Sequence, residues 1–131
     1  MHEYGISNND GTVLFNPPKD PHHVSHTILD RPTTANQAIS VPVKRLSTIM
    51  NQLNHKKIDV LKMDVEGAEY GVIEDMGKSD ILPQQILIEF HHRFPNVGIK
   101  KTKKAVSRIR TMGYKLFFVS TTGNEFCFIR H

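Results

Sequence analysis

The 131-residue sequence has one cysteine (Cys127), no tryptophan and no long apolar run. A lone cysteine excludes an intramolecular disulfide framework and any zinc site that needs two thiolates. It fits a reducing cytoplasm, which is the expected compartment. No stretch approaches the roughly 18 apolar residues of a membrane span, so no membrane partner is expected. Met1-His2-Glu3-Tyr4 offers neither a basic flank nor an apolar stretch, so no signal peptide is expected. Acids are missing over one long stretch. Between Phe90 and Asn124 there is none, while Arg93, Lys100, Lys101, Lys103, Lys104, Arg108, Arg110 and Lys115 all fall there. That stretch carries +8, and because the whole chain is +4 the remainder carries −4. A helix with one solvated basic face explains the excess. A contact for phosphate or another anion is the alternative. No aromatic residues interleave with these lysines, which weakens the case for a single-strand nucleic-acid groove.

Apolar residues make up 38% and charged residues 23% of the chain, a globular composition. The length predicts a single domain over 1–131. Residues 1–45 read as irregular and turn-rich. Asn8-Asn9-Asp10-Gly11 signals a turn before a short apolar run, Val13-Leu14-Phe15. Ile39, Val41 and Val43 alternate as in a half-buried strand, and Pro42, lacking an amide donor, predicts an edge position.

From Leu46 the period changes. Leu46, Ile49, Met50 and Leu53 share one helical face, with Ser47 or Thr48 available as N-cap. Ile58–Asp64 reads as a strand, and Gly67–Met76 as a helix stopped by Gly77. Gln85–Phe90 reads as a strand buried on both faces. Lys101–Met112 reads as a helix ending at Gly113. Tyr114–Ser120 and Glu125–Arg130 read as strands of an antiparallel hairpin, with Cys127 a packed thiol between Phe126 and Phe128. This order predicts an α/β fold with a mostly parallel sheet and a C-terminal antiparallel hairpin. Ligands in such sheets sit beyond the C-terminal ends of the strands.

Two turns qualify by that rule. Asp64-Val65-Glu66-Gly67-Ala68-Glu69 sets three carboxylates around a strand-to-helix turn, with Gly67 permitting a tight bend. Glu66 and Glu69 also suit the positive end of a helix. Glu89-Phe90-His91 ends an apolar strand on two polar groups, which core packing does not require. An imidazole there suits a general base. Asp64 and His91 are the catalytic candidates, with Glu66, Gly67, Glu69 and Glu89 as substrate- or cofactor-binding candidates. His22, His23 and His26 cluster in a loop without a period to aim them, so no metal site is assigned to them.

The run Leu61-Lys62-Met63-Asp64-Val65-Glu66-Gly67-Ala68-Glu69 resembles the core motif of FkbM-type S-adenosylmethionine-dependent methyltransferases. Gly5-Ile6-Ser7 with Asp10-Gly11, Val41–Leu46, Leu87–His91 and Gly113–Phe117 resemble further segments of that family, so the likeness covers nearly the whole chain. The resemblance implies a partial Rossmann-like methyltransferase fold. In that fold the strand order is 3-2-1-4-5-7-6, and Ile58–Asp64 would be the fourth strand. It also implies S-adenosylmethionine as cofactor and O-methyl transfer to a hydroxyl of a small molecule, sugar or lipid. Two departures stand out. The glycine-rich strand-turn-helix that holds the cofactor in the family has no counterpart upstream of the motif. Ser47 stands where the family often has an aspartate. The chain is therefore expected to be the C-terminal half of a methyltransferase domain, truncated, with doubtful cofactor binding of its own and an open edge on its fourth strand that invites a homodimer. An acid-lined turn could also take Mg²⁺, although no metal is assigned. A non-catalytic binding or dimerisation module, and a basic α/β module contacting nucleic acid, are the alternatives.

Overall fold

The computed structural model describes residues 2–16, 38–94 and 97–131. Its elements run β1 (Gly5–Ile6), β2 (Gly11–Phe15), β3 (Ile39–Lys44), α1 (Leu46–Gln52), β4 (Val60–Met63), α2 (Glu69–Lys78), β5 (Gln85–Glu89), α3 (Ile99–Thr111), β6 (Tyr114–Val119) and β7 (Glu125–Arg130). They form two sheets, one ordered β1-β3-β2 and the other β4-β5-β7-β6.

The order β4-β5-β7-β6 agrees with the run 4-5-7-6 that the resemblance implies, but the expectation of a mostly parallel sheet is corrected. Both sheets are mixed. In the larger one only β4 and β5 are parallel; β7 runs antiparallel to β5 and β6 antiparallel to β7. The C-terminal hairpin, turning at Gly123 (φ 75°), supplies two of the four strands, and its β7 lies between β5 and β6 and runs opposite to both. β5 is thus central, which explains its unbroken Ile86-Leu87-Ile88 run.

The core lies on one face of this sheet. Ile86, Ile88, Met63 and Phe128 point into it and meet Val72, Ile73 and Met76 of α2 and Ala105 and Ile109 of α3. Cys127 takes the opposite face, half-buried across from Leu87, while Phe128 is fully buried.

Residues 1–45, expected to be an irregular, hairpin-like segment, contribute the smaller sheet, in which β2 and β3 pair antiparallel. Its middle strand is β3, so the expected edge position of Pro42 is corrected. β1 is only two residues long and pairs with Val43 and Lys44 alone. Pro42 lies past its end, and its missing amide costs no ladder bond on that side. This sheet is tied to the rest through Arg45, whose Nε and Nη2 donate to Asp75 Oδ1 at 3.0 and 2.6 Å and whose Nη2 also donates to Ser79 Oγ at 2.9 Å.

Two helix ends differ from expectation. Neither Ser47 nor Thr48 caps α1. Arg45 holds the N-cap position without a side-chain cap, and Asp10, 35 residues upstream, anchors the helix start from outside. Its Oδ1 accepts from the Arg45 amide and its Oδ2 from Thr48 Oγ1, both at 2.8 Å. The amide bond and the hydroxyl bond hold the Asp10 carboxyl below the usual range. Gly77 does not stop α2, which continues to Lys78. A Cβ at Gly77 would come within 2.5 Å of Arg108 Nη2 and 3.0 Å of Met112 Sδ, so the glycine serves the close approach of α3.

Candidate active site

β4 and β5 are parallel with Met63 opposite Ile88, so both strands deliver their next residues to the same end of the sheet. After Met63 the chain passes through Asp64 into a β-turn, closed by Ala68 N donating to Val65 O at 3.1 Å. Its two central residues have positive φ, 49° at Glu66 and 111° at Gly67. Gly67 takes that conformation freely. Glu66 takes it at a cost of order 1–3 kcal/mol, which the surrounding structure must hold in place. The turn swings the chain into α2, whose first residue is Glu69.

Glu69 is fully buried. Its carboxylate folds back onto the turn, where Gly67 N donates to both oxygens at 3.2 Å and Val65 N donates at 3.4 Å. This gives it the helix-start role that its position permitted, and a second role from across the sheet. After β5, Phe90 turns into the core against Tyr70 and Phe126, with ring centroids 5.6 and 5.2 Å away. His91, one residue on, therefore faces the turn. Its Nδ1 lies 2.7 Å from Glu69 Oε1. A carboxylate only accepts, so Nδ1 carries the proton and donates.

The other imidazole nitrogen, Nε2, is 3.4 Å from Glu66 Oε2 and 3.7 Å from Asp64 Oδ1. Burial depresses the pKa of His91, but its hydrogen bond to Glu69 and the charges of Glu69, Glu66 and Asp64 together raise it above its ordinary value. Exposure grades across the group: the side chain of Glu69 is 0% exposed, His91 10%, Glu66 21% and Asp64 47%. Asp64 thus stands at the mouth and Glu69 at the floor.

The structure brings together Asp64, Glu66, Glu69 and His91, with Gly67 supplying an amide. It does not bring Glu89 to this group. Glu89 ends β5 opposite Glu125 in the β5–β7 ladder. What sequence reasoning missed is the pairing of Glu69 with His91. Both follow adjacent parallel strands, and that shared position was the available signal. His22, His23 and His26 lie outside the described residues.

The basic helix α3 buries Thr102, Ala105 and Ile109 and exposes most of its lysines. Two of its cations have local partners. Lys101 sits 4.7 Å over the Tyr70 ring, and Arg108 Nε is 3.7 Å from Glu74. Among the described residues no helix is long and apolar enough to cross a membrane.

A family model described as the Methyltransferase FkbM domain matches residues 1–116. Two curated relatives, from Rattus norvegicus and Homo sapiens, are each named "Probable methyltransferase-like protein 24" and are 34% identical over 92 residues. The match takes in 69% of this chain but only 23% of each relative. No solved structure matches the chain.

Proposed function

The chain belongs to the Methyltransferase FkbM domain family, and from that premise we propose that these residues form the acceptor side of a methyltransferase site acting on a hydroxyl group. The observation that carries this reading is the meeting of Asp64, Glu66 and His91 at the C-terminal ends of two adjacent parallel strands. Family membership implies an S-adenosylmethionine-type methyl donor. The described residues do not form its cradle by themselves. The amides of the β4–α2 turn at Val65 and Gly67 are taken by Glu69, and β4 is an edge strand with no glycine-rich strand-turn-helix beside it among the described residues.

These side chains fit the acceptor instead. Methyl transfer to a hydroxyl requires the oxygen to be held in line and to lose its proton. Asp64 is the base in this reading, because its carboxylate is half-exposed at the mouth of the group and can reach a substrate proton. His91 is largely buried with Nδ1 committed to Glu69, so it orients the group rather than meeting the acceptor first. Glu66, lifted by its positive φ, flanks the same opening.

The test is turnover by the longest reading frame containing these 131 residues, with radiolabelled S-adenosylmethionine and a panel of sugar, lipid and small-molecule hydroxyl acceptors. Asp64→Asn should lower turnover by about 10²–10⁴-fold, the range for a lost general base, with the fold intact. An unchanged rate in Asp64→Asn together with loss of activity in His91→Ala would move the base to the histidine.

A further inference from the structure

Asp64 Oδ1, Glu66 Oε2 and His91 Nε2 face one gap, and one ligand atom from each residue lies within 4.8 Å of the others. The imidazole is held from behind. His91 is nine-tenths buried, and its Nδ1–H is spent on Glu69, which is itself fully buried. The nitrogen left over points at two carboxylates. With a lone pair on Nε2, three ligand-type atoms face one gap that a cation can fill. If Nε2 carries a proton, that proton can be aimed at only one carboxylate. The distances of 3.4 and 3.7 Å are also well beyond the roughly 2.7–2.9 Å of a charge-assisted hydrogen bond. Ligand atoms about 2.0–2.2 Å from a metal ion stand roughly 3.0–3.5 Å apart; the two nitrogen–oxygen distances, 3.4 and 3.7 Å, lie at and just beyond that range, and all three atoms lie within 4.8 Å of one another. A buried carboxylate behind the imidazole is also how metal-binding histidines are fixed in one tautomer.

The geometry points to a divalent-cation site formed by Asp64, Glu66 and His91, with Glu69 as the positioning residue behind the histidine. One imidazole nitrogen with two carboxylates suits Mn²⁺ or Zn²⁺ better than Mg²⁺ or Ca²⁺, which prefer all-oxygen sets. The sequence alone assigns no metal and offers Mg²⁺ as the alternative; the proposed site differs from both in its nitrogen ligand. Three protein ligands leave a coordination position open on the solvent side, where Asp64 is half-exposed. Asp64 offers Oδ1 to the ion and keeps Oδ2 for an acceptor proton, so the site does not displace the role given to it above. Nor does the site rest on that role, because the ion binds whether or not a methyl group is transferred.

The experiment uses the full chain, stripped with chelator, in calorimetry with MnCl₂, ZnCl₂ and MgCl₂ and no cofactor. Mn²⁺ and Zn²⁺ should bind saturably, one per chain, with Mg²⁺ at least about ten-fold weaker. Asp64→Asn and Glu66→Gln should each weaken Mn²⁺ by about ten-fold or more, with unchanged circular dichroism. Pulsed electron paramagnetic resonance on the Mn²⁺ form should show nitrogen coupling, which His91→Gln removes. In Glu69→Gln the affinity should fall by about 10–100-fold. The nitrogen coupling should weaken while the carboxylates still hold the ion, a pattern that a folding defect would not give. Absence of saturable binding up to about 1 mM overturns the site and leaves a proton alone in the gap. Mg²⁺ binding tighter than Mn²⁺ overturns the nitrogen ligand. Binding that survives both carboxylate variants but is lost when His22, His23 and His26 are all changed to Gln places the ion elsewhere. A chain that binds Mn²⁺ but never methylates would overturn the proposed function and leave the site standing.

Discussion

Tyr114 shows what one buried polar atom does in this core. The residue is 3% exposed, and its hydroxyl donates to the Pro83 carbonyl at 2.6 Å. Burial pushes its pKa up to about 12 from 10, against a smaller opposing pull from Arg130. A raised pKa on an acid that is neutral when folded favours the native state below pH 10. That contribution is lost as pH rises from 10 towards 12, where the unfolded chain ionises first. Tyr114→Phe should therefore cost about 1–3 kcal/mol at neutral pH in urea denaturation, for the orphaned carbonyl. It should also flatten the decline in stability between pH 10 and 12. A variant that loses stability at pH 11 as steeply as the parent would show that another group causes the decline. At this scale the candidate site was partly legible. Asp64, Glu66 and His91 announced themselves by standing where apolar strands end. The Glu69–His91 bond was legible only in part: both residues follow adjacent parallel strands, but a 22-residue separation does not say which carboxylate of the turn reaches the ring.

At the scale of the element, periodicity located β2, β3 and each element from α1 to β7 to within a few residues. The ends and junctions escaped, and the reason is the same each time: a residue distant in sequence supplies what the local sequence lacks. Asp10 anchors the start of α1 where Ser47 or Thr48 was expected to cap it, and Pro42 sits in a central strand only because β1 stops short. Gly77 is the clearest case. A glycine near a helix end reads as a stop, yet here it lies inside α2 beneath Arg108 and Met112. Gly77→Ala should be close to neutral. Its gain in helix propensity of about 1 kcal/mol is offset by displacing two flexible side-chain ends. Gly77→Leu should lose about 1–3 kcal/mol by overpacking the α2–α3 contact. Urea midpoints of the two variants decide. A leucine variant as stable as the alanine one would show that α3 yields freely and that the close approach does not need glycine.

At the scale of the whole molecule, the described residues cover the larger sheet with helices on one face. Helices α2 and α3 cover the face that carries Met63, Ile86, Ile88 and Phe128. On the other face Leu87, Cys127 and Ile129 are half-buried, and Val60 and Phe118 are 56% and 52% exposed. The parallel character expected of this sheet failed because the hairpin, a local device, decided two of its three pairings. Among the described residues no glycine-rich strand-turn-helix stands beside β4 to hold a cofactor. Calorimetry of this chain with S-adenosylmethionine should accordingly show no saturable binding below millimolar concentration, and a micromolar dissociation constant would contradict that. β4 also has a consequence of its own. It pairs only with β5 among the described residues, so its outer row of amides and carbonyls is a template for another strand. Its one charge, Lys62, lies on the exposed face and does little to block pairing along the edge. A second copy of this chain, offering the same edge, is the expected partner. Sedimentation over a concentration series should show dimers or larger species. Val60→Lys, which adds a charge at an exposed edge position, should shift them towards monomer without lowering the melting temperature. A monodisperse 14.9 kDa monomer at high concentration, with a cooperative melt, would show instead that this chain covers the edge from within.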